Sequence, residues 1–314
     1  MAPTFLIVGA TGNTGRGVVE ALPKLLEASE VFSTYRVLAL TRSKDSDVAQ
    51  KLAKMPGVEV AEQNWTEITV DWLRENEVVR AFIASHNQPN QFAEESTFHI
   101  NALNAGVEYV VRISTTAANV RPDCRAYYPR SHWAIEAMLS SQEFKALKWS
   151  SLQANGFLPL FLGSAVEYIK EYRKTGKIGK FATILSADAP VGLIDPIEVG
   201  VFAAHLLAQA DITRHNNAKY VLNGPEDISG QQVVRLIEEN IGAKVEDVEF
   251  KDMSMIDWMA ANTKESKNVT LTIKHALDTV YAGECSVSTT SKEVLEIAPP
   301  KRTPAQVVRT MLEG

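Results

Sequence analysis

Apolar residues recur through the first half of the chain in short, nearly unbroken runs, of which Phe5-Leu6-Ile7-Val8 and Val37-Leu38-Ala39-Leu40 are the clearest. Such runs mark strands buried on both faces, as in a parallel sheet with helices above and below it. The pattern predicts strands over Thr4 to Val8, Arg36 to Thr41, Val58 to Glu62, Val79 to Ala84, Tyr109 to Ser114 and Trp149 to Gln153. Between them the spacing becomes helical: Phe92, Glu95, His99, Ala102 and Leu103 share one face, as do Ile135, Met138 and Leu139. Repeated strand–helix alternation predicts an α/β fold with a doubly wound parallel sheet. Pro23 falls inside the first helical stretch, where it removes a backbone donor, and predicts a kink or an early end.

Beyond residue 155 the alternation loosens. A Gly- and Lys-containing stretch, Lys174 to Lys180, precedes a predicted short strand at Gly192 to Ile194 and a helix from Pro196 to Ala208. A further strand, Tyr220 to Leu222, is stopped by Asn223-Gly224-Pro225, and Ser229 then caps a helix carrying Val233, Val234, Leu236, Ile237 and Ile241. The expected division is a sheet domain over residues 1–155, rejoined by a segment at about 190–222, and a smaller C-terminal α/β lobe over most of 156–314. Phe157 to Glu167 and Met253 to Val280 read as irregular and mostly apolar, which suits the lining of a cleft for a hydrophobic ligand.

Composition narrows the function class. Apolar residues make up 45% and charged residues 22% of the 314, ordinary values for a globular chain. The net charge of −6 disfavours a phosphate-neutralising surface, so direct nucleic-acid binding is not expected. Met1 to Val8 runs straight into a strand without the features of a signal peptide, and no segment has the length of a membrane span. Cys124 and Cys285 stand far apart without metal-finger spacing, which fits a reducing, cytoplasmic setting and no metal site.

The chemistry begins at Gly9-Ala10-Thr11-Gly12-Asn13-Thr14-Gly15, which follows the first strand and opens the first helix. Gly9 permits a tight turn, Gly12 lets backbone approach a pyrophosphate, and Gly15 allows close helix-to-strand packing, while free helix N–H groups face the phosphate charge. At the end of the second strand, Thr41-Arg42-Ser43-Lys44 stands where an NAD site carries an acid. Arg42 can pair with a 2′-phosphate as a planar fork, with Ser43 and Lys44 as further donors, so the cofactor predicted is NADP(H). Ligands in such sheets collect beyond the carboxyl ends of the strands, which adds Ser85, His86, Ser114, Asn155 and Phe157 as cofactor contacts.

Taken together, the G-A-T-G-x-x-G turn, Thr41-Arg42, His132-x-x-x-Glu136 ahead of Ser151 to Gly163, and the closing Tyr220-x-x-Asn223-Gly224-Pro225 resemble the NmrA-like group of atypical short-chain dehydrogenase/reductases. The resemblance covers nearly the whole chain and implies a Rossmann-type domain with NADP(H) across the strand ends and a small C-terminal domain closing a substrate cleft. It also implies adenine contact at Asn64, where relatives often carry Asp. The Tyr-x-x-x-Lys pair of typical short-chain dehydrogenases is replaced by His132 and Glu136, which share a helix face. Glu136 could accept ribose hydrogen bonds. His132 is the expected proton donor, with Tyr128, Ser114 and, further back, Tyr127 behind it.

These features predict an NADPH-dependent reductase of a small, largely apolar carbonyl, quinone, imine or activated alkene. The alternatives are a catalytically inactive NADP(H)-sensing regulator acting on a protein partner, like the protein that gives the group its name, or an isomerase or cyclase that keeps the cofactor as scaffold.

Overall fold

The computed structural model describes residues 2–313. Its strands are β1 (Thr4–Val8), β2 (Arg36–Thr41), β3 (Val58–Glu62), β4 (Val78–Ile83), β5 (Tyr109–Ile113), β6 (Lys148–Ala154), β7 (Phe181–Thr183), β8 (Ala218–Leu222) and β9 (Val248–Phe250). The helices are α1 (Gly15–Glu27), α2 (Asp47–Leu52), α3 (Val70–Glu75), α4 (Gln91–Ala105), α5 (Tyr127–Leu139), α6 (Leu158–Thr175) and α7 (Pro196–Leu207). They continue as α8 (Gly230–Ile241), α9 (Ser254–Asn262), α10 (Lys267–Leu271), α11 (Asp278–Tyr281), α12 (Lys292–Ile297) and α13 (Pro304–Glu313).

Seven strands form one parallel sheet in the order β3-β2-β1-β4-β5-β6-β8, the doubly wound topology that the apolar runs predict. Its strand order reverses between β1 and β4, which opens a crevice at their carboxyl ends. Both faces are sealed. Phe5, Ile7, Val37, Phe82 and Val111 pack with α1 and α7 residues on one side, while Leu6, Val8, Leu38, Ile83 and Val110 pack with Phe98, Ile135 and Leu139 on the other. Each such side chain contributes about 1.5–3 kcal/mol by leaving water.

Gly192 to Ile194 makes only single bridges, Ile194 with Phe157 and neighbouring Val191 with Ile228. The segments expected to be irregular are largely helical: Phe157 to Glu167 enters α6, and Met253 to Val280 holds α9, α10 and part of α11. Around them Leu162, Ile169, Val191, Ile237, Leu277 and Val307 build a second apolar core beside the small β7–β9 sheet. Pro23 does not end α1, which continues to Glu27 because Leu22 and Leu26 still have core to bury.

Two glycines set how α1 and α7 meet. A Cβ on Gly17 would sit 2.2 Å from the Ile197 carbonyl oxygen, and one on Gly200 2.2 Å from that of Thr14. The backbones touch where a side chain would stand, and this contact holds the start of α1, and with it the Gly-rich turn, against the rest of the molecule. Gly200→Ala should therefore cost about 1–3 kcal/mol through forced displacement of backbone. Gly163→Ala, in α6 where a Cβ meets nothing within 4 Å, should gain about 0.5–1 kcal/mol. Urea unfolding of the two variants checks the contrast, and equal effects would refute the contact argument.

Candidate active site

The carboxyl ends of the central strands open into one cleft of about 1220 Å³. It runs from the Gly-rich turn and Arg42, across Ser85, Ser114 and Asn155, to a chamber walled by Phe161, Leu277, Val280 and the α9 residues Met255 and Trp258.

The turn is built for an anion. Gly9 adopts φ +79°, and a Cβ on Gly15 would lie 2.0 Å from the Gly9 carbonyl oxygen, so each position demands glycine. Gly12 turns its open side to the cleft. Among the described residues no acceptor meets the amides of Asn13, Thr14 and Gly15, no side chain caps α1, and its first turn holds no acid. These free donors and the positive helix end fit a pyrophosphate. Arg42 lines the cleft and forms no ion pair among the described residues. Ser43 and Lys44 do not join it: the Ser43 carbonyl accepts from the Thr41 hydroxyl at 2.9 Å and the Lys44 amide donates to Glu62 at 3.0 Å, turning this loop toward β3.

Thr11, Asn64, Ser85, His86, Ser114, Asn155, Phe157 and Tyr128 all line the cleft. The Asn64 side-chain oxygen accepts from the Thr66 amide. His86 pairs with Glu94, and Ser85 donates to Glu95 at 2.6 Å. The Asn223-Gly224 motif acts through Asn155, whose amide nitrogen donates to the Asn223 side chain and the Cys285 carbonyl, both at 2.8 Å. Strand-end reasoning overlooked Trp65, one residue past Asn64, whereas the α9 wall falls within the Met253 to Val280 segment expected to line the cleft.

His132 and Glu136 are where the structure corrects the sequence reading. Neither lines the cleft, because their face of α5, shared with buried Ile135 and Leu139, turns into the protein. There they meet Arg112 of β5, a guanidinium with no exposure, whose Nε donates to Glu95 at 2.6 Å, Nη1 to Ser151 at 3.0 Å and Nη2 to His132 Nδ1 at 2.8 Å. With Nδ1 accepting, the His132 ring proton sits on Nε2 and is donated to the Asn87 side-chain oxygen at 3.0 Å. Glu136 accepts from Ser114 at 2.9 Å, Ser151 at 2.7 Å and Gln153, and lies 3.3 Å from Lys219. It has no capacity left for a ribose. Burial would raise the Glu95 carboxyl, but the Arg112 charge and the His99 hydrogen bond outweigh it and hold it well below the usual range.

Burial and then the Arg112 charge push the His132 imidazole down to about 3, so it is neutral and cannot serve as an acid near neutrality. The donors expected behind it do face the cleft. Burial, opposed by the neighbouring Thr115 hydroxyl, pushes the Tyr128 phenol up to about 12. Tyr127 donates to the Asn87 carbonyl, and Ser114 to Glu136.

The His132 shift has a consequence for stability. The unfolded chain takes a proton on this ring near pH 6.5 and the folded one resists it to about 3, so the contribution is complete above 6.5 and falls away as pH drops. Wild type should lose stability more steeply than His132→Gln between pH 6.5 and 5, by up to about 1.4 kcal/mol per pH unit. Parallel curves from urea unfolding would mean that the ring is not held neutral.

Comparison with known proteins agrees with this geometry. The NADPH-dependent quinone oxidoreductase of Escherichia coli, solved with NADPH, superposes with a TM-score of 0.72 at 19% identity, covering 98% of this chain and 99% of that one. The triphenylmethane reductase of Citrobacter sp., solved with NADP(H), gives 0.72 at 18%, covering 98% and 100%. NmrA, a negative transcriptional regulator, gives 0.70 at 13%, covering 100% and 96%. Likeness at these identities carries the fold. Curated protein sequences yield no match. The model of the NmrA-like family, however, matches residues 1–284, and the chain belongs to that family.

Proposed function

We propose that this protein is an NADPH-dependent reductase of small, largely apolar acceptors. The observation that carries the reading is the continuity of the cleft: one space of about 1220 Å³ joins an anion cradle and a free guanidinium to an apolar chamber. A dinucleotide laid from Arg42 to Ser114 would bring its nicotinamide end to the mouth of that chamber. When bound, NADPH supplies the hydride.

The chain's own residues bind and orient. Gly9, Gly12 and the α1 amides receive the pyrophosphate, Arg42 the 2′-phosphate, and Asn64 with Trp65 the adenine end. Ser114 donates its hydroxyl hydrogen bond to Glu136 and so faces the cleft as an acceptor, suited to a carboxamide or ribose donor. Asn155 is fixed by Asn223 and Cys285, and Phe157 closes the floor beside it. Phe161, Met255, Leu277 and Val280 exclude water from the acceptor. A carbonyl acceptor would find Tyr128 as its hydroxyl donor. The buried, unpaired state of Cys124 and Cys285 supports a reducing, cytoplasmic setting.

A cofactor-sensing regulator would use the same cradle, and the inward turn of His132 and Glu136 is compatible with it. Such a protein has no use for the apolar chamber, which is why the reductase reading is preferred.

Arg42→Ala should lower the NADPH-to-NADH affinity ratio at least tenfold, the loss of a charge-assisted fork worth about 1.5–3 kcal/mol. Gly12→Val should abolish binding of both cofactors while the domain stays folded. Calorimetric titration of each variant decides the matter: an unchanged ratio, or retained affinity in a folded Gly12→Val protein, would move the cofactor elsewhere. Stopped-flow oxidation of bound NADPH by a panel of quinones, ketones and imines tests turnover. Binding without any turnover would favour the sensor.

A further inference from the structure

One stretch of chain beside the cleft is attached far more loosely than the rest of its wall. Lys251 and Asp252 are tied to β7 and the residues after it, their amides donating to the Leu185 and Thr183 carbonyls, both at 2.9 Å. Thr272 is tied to α5, its hydroxyl oxygen accepting from the Tyr127 amide at 3.1 Å. Between these two points lie α9 and α10. Among the described residues, no hydrogen bond runs from residues 253–270 to either sheet, to α5 or to α6; their bonds stay within the stretch and its flanks. The ion pair of Asp257 with Lys274, at 2.6 Å, is the one polar strap to the fixed side among the described residues. Of α9 only Ile256 and Ala260 are buried. A segment held by so few contacts opens at a lower free energy than the core around it.

The side chains that this segment turns outward are apolar. Met255, Trp258 and Met259 line the cleft and are 45%, 66% and 38% exposed. Leu160, on the α6 side of the same space, is 62% exposed. By contrast α6 is fixed: the Leu158 amide donates to the Ile194 carbonyl at 2.9 Å, and Leu162, Val166 and Ile169 are buried in the second core. Four large apolar side chains thus stand in water on two sides of one mouth, and only one of the sides is firmly anchored. They lose that exposure when the loose side moves across, and an apolar ligand in the chamber adds surface that the same movement covers.

We propose that residues 253–270 form a lid, hinged at Asp252 and Thr272, which closes over an apolar ligand in the chamber and brings Met255, Trp258 and Met259 against Leu160. The Asp257–Lys274 pair, beside the second hinge, restrains the movement. The inference rests on the chamber being the acceptor site of the reductase reading, and the two fail differently.

Cross-linking of a Leu160→Cys/Met259→Cys variant by diamide tests it, since Cys124 and Cys285 are buried and each side of the mouth then carries a single accessible thiol. The probe is tert-butylcyclohexanol, which is apolar and, as an alcohol, takes no hydride from NADPH. In protein saturated with NADPH, adding the alcohol should speed intramolecular disulfide formation about fivefold or more, because it shifts the population toward the closed form. A ligand in a rigid cleft would shield the thiols and slow the reaction. Hydrogen exchange of the chain with its own residues is the second measurement. Amides of residues 253–270 should exchange at least about tenfold faster than those of α6, faster again in Asp257→Asn, and more slowly once the alcohol joins NADPH. Cross-linking that the bound alcohol leaves unchanged or slows, or exchange in residues 253–270 as slow as in α6, would overturn the lid and leave a rigid chamber. If calorimetry shows that NADPH binds but neither the alcohol nor phenanthrenequinone does, the chamber takes no apolar ligand, and the reductase reading falls together with the lid.

Discussion

A guanidinium in the dry interior of a parallel sheet has to be matched on every donor, and Arg112 imposes that demand at the centre of this fold. Leaving it unpaired would cost several kcal/mol. Glu95 from α4, Ser151 from β6 and His132 from α5 meet its nitrogens, and Glu136 lies 3.7 Å away as the second negative charge. Three elements are thereby tied to β5 just beneath the point where the strand opens into the cleft. The arrangement also decides which groups remain for chemistry: a pair that sits one turn apart on α5 has become part of the framework.

From this follows the division of labour in the cleft. Because Glu136 accepts the Ser114 hydrogen bond and His132 donates to Asn87, neither α5 side chain serves the cleft, and the hydroxyls that face it from α5 are those of Tyr127 and Tyr128. The Gly-rich turn is fixed independently by the backbone contact of α1 with α7, where Gly17 and Gly200 permit an approach that no other residue allows. Arg80 closes the opposite end of the sheet, donating to the Leu207 and Gln209 carbonyls at the end of α7.

Much of the fold was legible because two-sided burial leaves an unmistakable mark: β1 and β2 lie where the apolar runs place them. The α6 helix was less visible, since its sequence carries Gly163 and opens on Pro159, although Leu158, Leu162, Ala165, Val166 and Ile169 keep helical spacing. The cradle and the strand-end residues could be found from position alone. The direction in which the α5 pair points could not be found from spacing between His132 and Glu136, but their neighbours held the clue. Ile135 and Leu139 share that face, and a face with two large aliphatic residues belongs to the core. Ser43 and Lys44, expected beside Arg42, do not line the cleft, and nothing local shows the contact of the Lys44 amide with Glu62 on the adjacent strand.

The central claim is that His132 belongs to the framework and carries no proton for the reaction. Nitrogen-15 NMR of the imidazole in the protein saturated with NADPH tests it directly. The account predicts one unchanging signature from pH 8 to 5, a neutral ring with its proton on Nε2, identical with and without cofactor, as befits a group pushed down to about 3. A ring that titrates between pH 6 and 7, or whose tautomer changes when NADPH binds, would contradict it and return His132 to the mechanism.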